Sequence, residues 1–192
     1  MSDRASNPEE RIAQLDVYFT QIGRATHAWS TLELIVDIII WKVAEVQPML
    51  GSCMTNRIPS IHGKFTTLVA LLTLLEGSKP YVDALNKLSG NAFQLVERRN
   101  RVIHDAWSIT DDLQVAKVTK AITGKTVELG FDDVDVEDIV KLTKDIGKTM
   151  RELHALHNKI NDWLSASPRR WLRPLEEIKL AVPPETSGQG SE

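Results

Sequence analysis

Two long runs of apolar residues at helical spacing constrain this chain more than any other feature, because each makes a helix whose apolar face must be buried against other elements of the fold. Ile12, Leu15, Phe19, Ile22, Ala25 and Trp29 recur every three or four positions, and Leu32, Ile35, Val36, Ile39 and Val43 continue the series. Asn7, Pro8 and Glu10 supply an N-cap acceptor, a proline at the first helical position and an early carboxylate. One helix is therefore expected from about residue 8 to residue 43, bent near Gly23. The second run, Val136, Ile139, Val140, Leu142, Ile146, Met150, Leu153, Leu156, Ile160 and Leu164, predicts another long helix, capped by Asp133 or Asp135.

Between these runs the spacing predicts two more helices. Pro48, Gly51 and the polar stretch through Asn56 break the pattern, and a helix follows from about Pro59 to Leu75, closed by Gly77. Its nearly continuous apolar run from Leu68 to Leu75 implies burial on most sides. Ser78 and Pro80 start the next helix, with Leu85, Leu88, Ala92, Leu95, Val96, Val102 and Ile103 facing inward. After His104 the pattern changes to period two. Trp107 to Thr110, Gln114 to Thr119 and Thr126 to Leu129, separated by turn signals at Asp111-Asp112 and Thr123-Gly124, predict a small antiparallel meander. The expected architecture is an all-α bundle of four main helices with a β insertion at about 107–130. The domain spans residues 8–164, between a short lead at 1–7 and a partly disordered tail at 165–192.

A chain of 192 residues with 42% hydrophobic and 26% charged residues has ordinary globular composition and enough length for a real core. Its single cysteine, Cys53, excludes an internal disulfide and a cysteine-rich zinc framework. The first ten residues lack a signal peptide's apolar core, and the Leu32–Val43 run is interrupted by Glu33, Asp37 and Lys42, so a cytoplasmic protein without a membrane span is expected. The net charge of −3 gives no general affinity for nucleic acid, so any RNA contact must be local. The chain carries no glycine-rich phosphate loop and no dinucleotide fingerprint.

The chemistry concentrates in Arg99-Asn100-Arg101-Val102-Ile103-His104, which runs into Asp105-Ala106-Trp107. An arginine offers a permanent cation for a phosphorane, and a histidine carries protons near neutral pH. On a helix Asn100 and His104 share a face, so an amide-to-imidazole hydrogen bond is within reach. Arg99 is rotated about 140° from His104 and must swing back to meet it. His104 falls at the expected helix end, where the dipole favours a cation. The residues Arg99, Asn100 and His104 resemble the signature of the HEPN superfamily, an arginine and a polar residue four to six positions before a histidine. Arg98 also fits that spacing. Trp29-Ser30-Thr31-Leu32-Glu33 is similar to the Trp and Glu on the first long helix of bacterial proteins with this architecture. Trp107 is similar to the tryptophan that often follows their histidine, while Asp105 stands where a glycine is common.

The resemblance implies a homodimer in which two copies of the motif meet, and metal-independent RNA cleavage with no cofactor. His104 would serve as general base or acid, Arg99 would stabilise the phosphorane, and Asn100 would fix the imidazole tautomer. The products would be a 2′,3′-cyclic phosphate and a 5′-hydroxyl. A toxin or defence role, with an antitoxin or other protein partner, belongs to the same expectation. The alternative is a non-catalytic HEPN module that binds RNA, a nucleotide or a protein, or a purely structural dimer. Glu33, Asp105 and Trp107 are supporting candidates. Arg98, Arg101, Arg169, Arg170 and Trp171 are RNA-binding candidates, the last three in a basic stretch where an aromatic ring can stack on a base.

Glu33 and Asp37 lie one turn apart on the first apolar helix. Asp37 is expected to face solvent, and one reading of Glu33 is a buried partner for Arg57, Lys64 or the motif arginines. His154 and His157 have zinc-like spacing but no third ligand in sequence reach, which favours a solvated helical face.

Overall fold

The computed structural model describes residues 8–109, 115–123 and 126–166. The expected turns at Asp111-Asp112 and Gly124, the start at Asn7, and the tail with Arg169, Arg170 and Trp171 lie outside the described residues. Five helices and a three-stranded sheet follow in the order α1 (Pro8–Ala44), α2 (Pro48–Thr55), α3 (Ile61–Thr73), α4 (Lys79–His104), β1 (Ala106–Ile109), β2 (Val115–Thr123), β3 (Thr126–Asp133) and α5 (Val136–Ala166). The protein is thus mostly helical with a small antiparallel insertion between α4 and α5. None of the described helices is long and apolar enough to cross a membrane.

α1 packs along α5 and α3, and α4 closes the bundle against α3 and α5. Trp29, Leu32, Val36, Ile39 and Val43 from α1 meet Phe65, Leu68 and Leu72 from α3, Leu85 and Leu95 from α4, and Leu142, Ile146, Leu153 and Ile160 from α5. Burying one such leucine or isoleucine side chain contributes about 1.5–3 kcal/mol, so this shared interior is what holds the four long helices together. α5 is capped as expected by Asp135, whose Oδ1 accepts the Glu137 amide at 3.0 Å. Ser60 caps α3 by accepting the Gly63 amide. Gly77, at φ +81°, makes the turn into α4 in a conformation that L side chains rarely adopt.

Three expectations are corrected. The segment from Pro48 is a short helix and not a break: Pro48 occupies the first helical turn, and Gly51 lies where a Cβ would stand 2.4 Å from the Trp41 ring. Of these two expected breakers, one starts the helix and the other lets it approach the indole. Ile12 and Phe19 have helical spacing but are exposed, as is Val17. Tyr18, whose hydroxyl donates to the Val134 carbonyl just before α5, marks where α1 meets the start of that helix. α3 is buried on one face only, with Ala70 and Leu74 exposed beside buried Leu68, Leu72 and Leu75.

The sheet order is β1-β2-β3, antiparallel throughout, with Trp107 opposite Lys117 and Val118 opposite Phe131. It spans slightly more chain than expected, beginning at Ala106 and ending at Asp133.

On α5 the rings of His154 and His157 are 6.1 Å apart, and among the described residues no third metal-type ligand joins them. Burial, then the charges of His154 and Lys42, hold His157 below the usual imidazole range. A histidine that protonates less readily in the folded chain than in the unfolded one makes acid destabilising. Its effect is absent above about pH 6.5, the unfolded value, and grows as pH falls toward the lower folded value. We expect His157→Gln to lessen the drop in melting temperature between about pH 7 and pH 5.5. Equal drops in the two proteins would rule this histidine out as a source of acid sensitivity.

Candidate functional site

α4 ends at His104, and the chain turns directly into β1 through Asp105, whose backbone is already extended. Two contacts pin this corner. The Trp107 indole N–H donates to the Val102 carbonyl at 3.0 Å, satisfying one of the helix-end acceptors that lack an intrahelical donor. The Asp105 carboxylate lies 3.3 Å from the Lys117 ammonium of β2, whose side chain is only 11% exposed. Tyr18 of α1 packs its ring 5.8 Å from that of Trp107. The sheet therefore fixes the end of the helix that carries the histidine, and Asp105 is engaged with Lys117.

Arg99 does swing back. Its Nη1 donates to Asn100 Oδ1 at 3.0 Å and lies 3.3 Å from His104 Nε2. An arginine only donates, so if the second contact is a hydrogen bond, Nε2 is the acceptor and the ring proton sits on Nδ1. Here the structure differs from expectation: the Asn100 amide meets the guanidinium and not the imidazole. The fixed fork of the arginine reaches both residues, and it is the arginine that contacts the ring nitrogen.

The three motif arginines have different partners. Arg98 pairs with Asp145 of α5 at 2.8 Å, and Arg101 pairs with Glu97 one turn back at 2.6 Å. Arg99 has no carboxylate partner among the described residues. Its Cζ instead stands 5.7 Å from the centroid of the Trp29 ring, and its Nε is buried without a hydrogen-bond partner. Trp29, 3% exposed, in turn donates its indole N–H to Glu33 Oε1 at 2.8 Å. Of the two arginines allowed by spacing, Arg99 is the one that joins Asn100 and His104.

Among the described residues Glu33 thus reaches the motif through Trp29, and it pairs with none of Arg57, Lys64 and the motif arginines. Lys64 instead pairs with Asp37 at 2.8 Å, and both side chains are about 10% exposed. The expectation that Asp37 faces solvent is wrong. The register of α3 against α1 brings an ammonium to it, and burial becomes tolerable once the charge is paired.

A groove of about 630 Å³ runs along the outer face of α4, lined in part by Phe93, Glu97, Asn100, Arg101, His104 and Asp105. Arg99 does not line it, but its Nη1 touches two residues that do. Phe93, 61% exposed, and its edge-on neighbour His62 were not singled out from the sequence. The signal was present, since Phe93, Glu97, Asn100 and His104 follow a four-three-four spacing that places them on one helix face.

Comparison with protein-family models, with curated proteins and with solved structures gave no match for this chain.

Proposed function

We propose that this protein is a metal-independent endoribonuclease of the HEPN type, acting as a homodimer with Arg99, Asn100 and His104 at its centre. The observation that carries the reading is the approach of the Arg99 guanidinium to His104 Nε2 at 3.3 Å, at an exposed helix end beside a groove. It joins a permanent cation to a proton-accepting nitrogen, the two groups that transesterification of RNA requires.

In the proposed reaction a phosphodiester displaces His104 as the acceptor of the Arg99 N–H, because an anionic oxygen is the stronger acceptor. Nε2 is then free to take the proton of the ribose 2′-hydroxyl. The 2′-oxygen forms a bond to phosphorus, the bond to the 5′-oxygen breaks, and the leaving oxygen takes up a proton from water. Arg99 stabilises the added charge of the phosphorane. Asn100 holds the guanidinium in place, and the Asp105–Lys117 and Trp107–Val102 contacts hold the helix end. As a toxin or defence effector, the protein would have a second protein as its restraint.

The rival reading, a module that binds RNA or a protein without cutting it, draws support from Arg99 standing outside the lining of the groove. Incubating the full chain in EDTA with end-labelled RNA separates the two. Fragments ending in 2′,3′-cyclic phosphate are expected, with single-stranded DNA and 2′-O-methyl RNA left intact. A folded protein that leaves a broad panel of RNAs whole would overturn the ribonuclease reading and favour the binding module.

A further inference from the structure

The two arginines beside Arg99 are each matched to a carboxylate, and Arg99 to an indole face. That difference matters chemically. A carboxylate both neutralises a guanidinium and occupies its N–H groups, so an incoming phosphate must displace it. An aromatic face attracts the cation through its quadrupole and takes up none of the in-plane donors. Trp29 can do this only if its ring is held at a fixed angle. The Glu33 carboxylate, one turn further along α1, accepts the indole N–H at 2.8 Å and supplies that hold.

We infer that Trp29 and Glu33 are positioning residues for Arg99: Glu33 orients the indole, and the indole holds the guanidinium against His104 and Asn100 with its charge uncompensated, ready for a phosphodiester anion. The functional consequence rests on the ribonuclease reading, but the positioning does not. Arg99 uses one nitrogen, Nη1, for both Asn100 and His104, which leaves the Nη2 hydrogens without a protein acceptor among the described residues. The buried Nε, also without an acceptor, marks the cost of this arrangement. The role of Glu33 is therefore to accept a hydrogen bond, and its negative charge is not what Arg99 needs.

The test uses the full chain with Glu33→Gln, Glu33→Leu, Trp29→Phe and Trp29→Leu. The first readout is the Arg99 Nε–H and His104 ring signals in nitrogen-15 NMR spectra, assigned with Arg99→Lys and His104→Gln. In the wild type the Arg99 Nε–H should be shifted upfield by the indole and exchange slowly with water. Glu33→Gln, whose side-chain oxygen still accepts the indole N–H, should preserve both properties. Glu33→Leu and Trp29→Leu should lose them and move the His104 signals. Trp29→Phe should fall between.

The second readout is affinity for a single-stranded DNA oligonucleotide, which lacks the 2′-hydroxyl and needs no turnover. Its Kd should rise roughly threefold to thirtyfold in Trp29→Leu and Glu33→Leu, the span from an exposed to a desolvated cation–aromatic contact, and stay near wild type in Glu33→Gln. Trp29 is buried in the core, so if its leucine variant fails to fold, the half-buried Glu33 decides. Unchanged Arg99 and His104 signals in folded Glu33→Leu would overturn the inference, as would equal losses in Glu33→Gln and Glu33→Leu. Failure of the wild type to cleave RNA, with these spectral changes intact, would sink the ribonuclease reading alone.

Discussion

His104→Ala is expected to slow RNA cleavage by about a hundredfold to ten-thousandfold, the range over which a positioned acid or base contributes. The side chain is exposed at the end of α4, where it meets Arg99. Its removal should therefore leave unfolding free energy within about 0.5 kcal/mol of the wild type, as is usual for a surface site. That separation makes the variant informative, because a lost activity cannot be ascribed to a lost fold. Single-turnover cleavage with saturating RNA, alongside urea denaturation, measures both. An alanine variant that cuts as fast as the wild type would remove His104 from the mechanism. One that no longer binds RNA would make the histidine a binding residue.

The second large effect concerns the interior. Asp37→Leu should lower the unfolding free energy by about 3–5 kcal/mol, because it leaves the Lys64 ammonium buried without its counter-ion. Lys64→Met should cost a comparable amount for the converse reason. The pair itself is a modest asset: Asp37 Oδ1 is buried with no hydrogen-bond partner among the described residues, so part of the attraction is offset by desolvation. The double replacement Asp37→Leu with Lys64→Met is accordingly expected to recover most of the loss. Urea midpoints for the four proteins form a double-mutant cycle, and a coupling near zero would mean that the two charges reach solvent in the native state.

Much of the fold could be read from residue spacing. The series from Ile12 to Val43 and from Val136 to Leu164 mark α1 and α5, since a one-sided apolar stripe has few uses except helix packing. The change to period two after His104 marks the sheet. The segment at Pro48 was misread because proline and glycine act as breakers or as helix residues according to their neighbours, and the close approach of Trp41 is a tertiary fact. Exposed Ile12 and Phe19 show the same limit from the other side. Periodicity states which residues share a face, and it does not state whether a partner helix extends far enough to cover them.

At the candidate site the residue types were legible and their partners were not. The sequence alone determined that an arginine, an amide and a histidine fall together at the end of a helix, because the helical repeat fixes their separation over a few residues. Only the tertiary structure decided that Arg98 pairs with Asp145, that Asp105 meets Lys117, that Asp37 is buried against Lys64, and that Arg99 lies over Trp29. Those contacts join residues far apart in the chain. They depend on how one helix is rotated and shifted against the next, which the close packing of the shared core sets and no local spacing encodes.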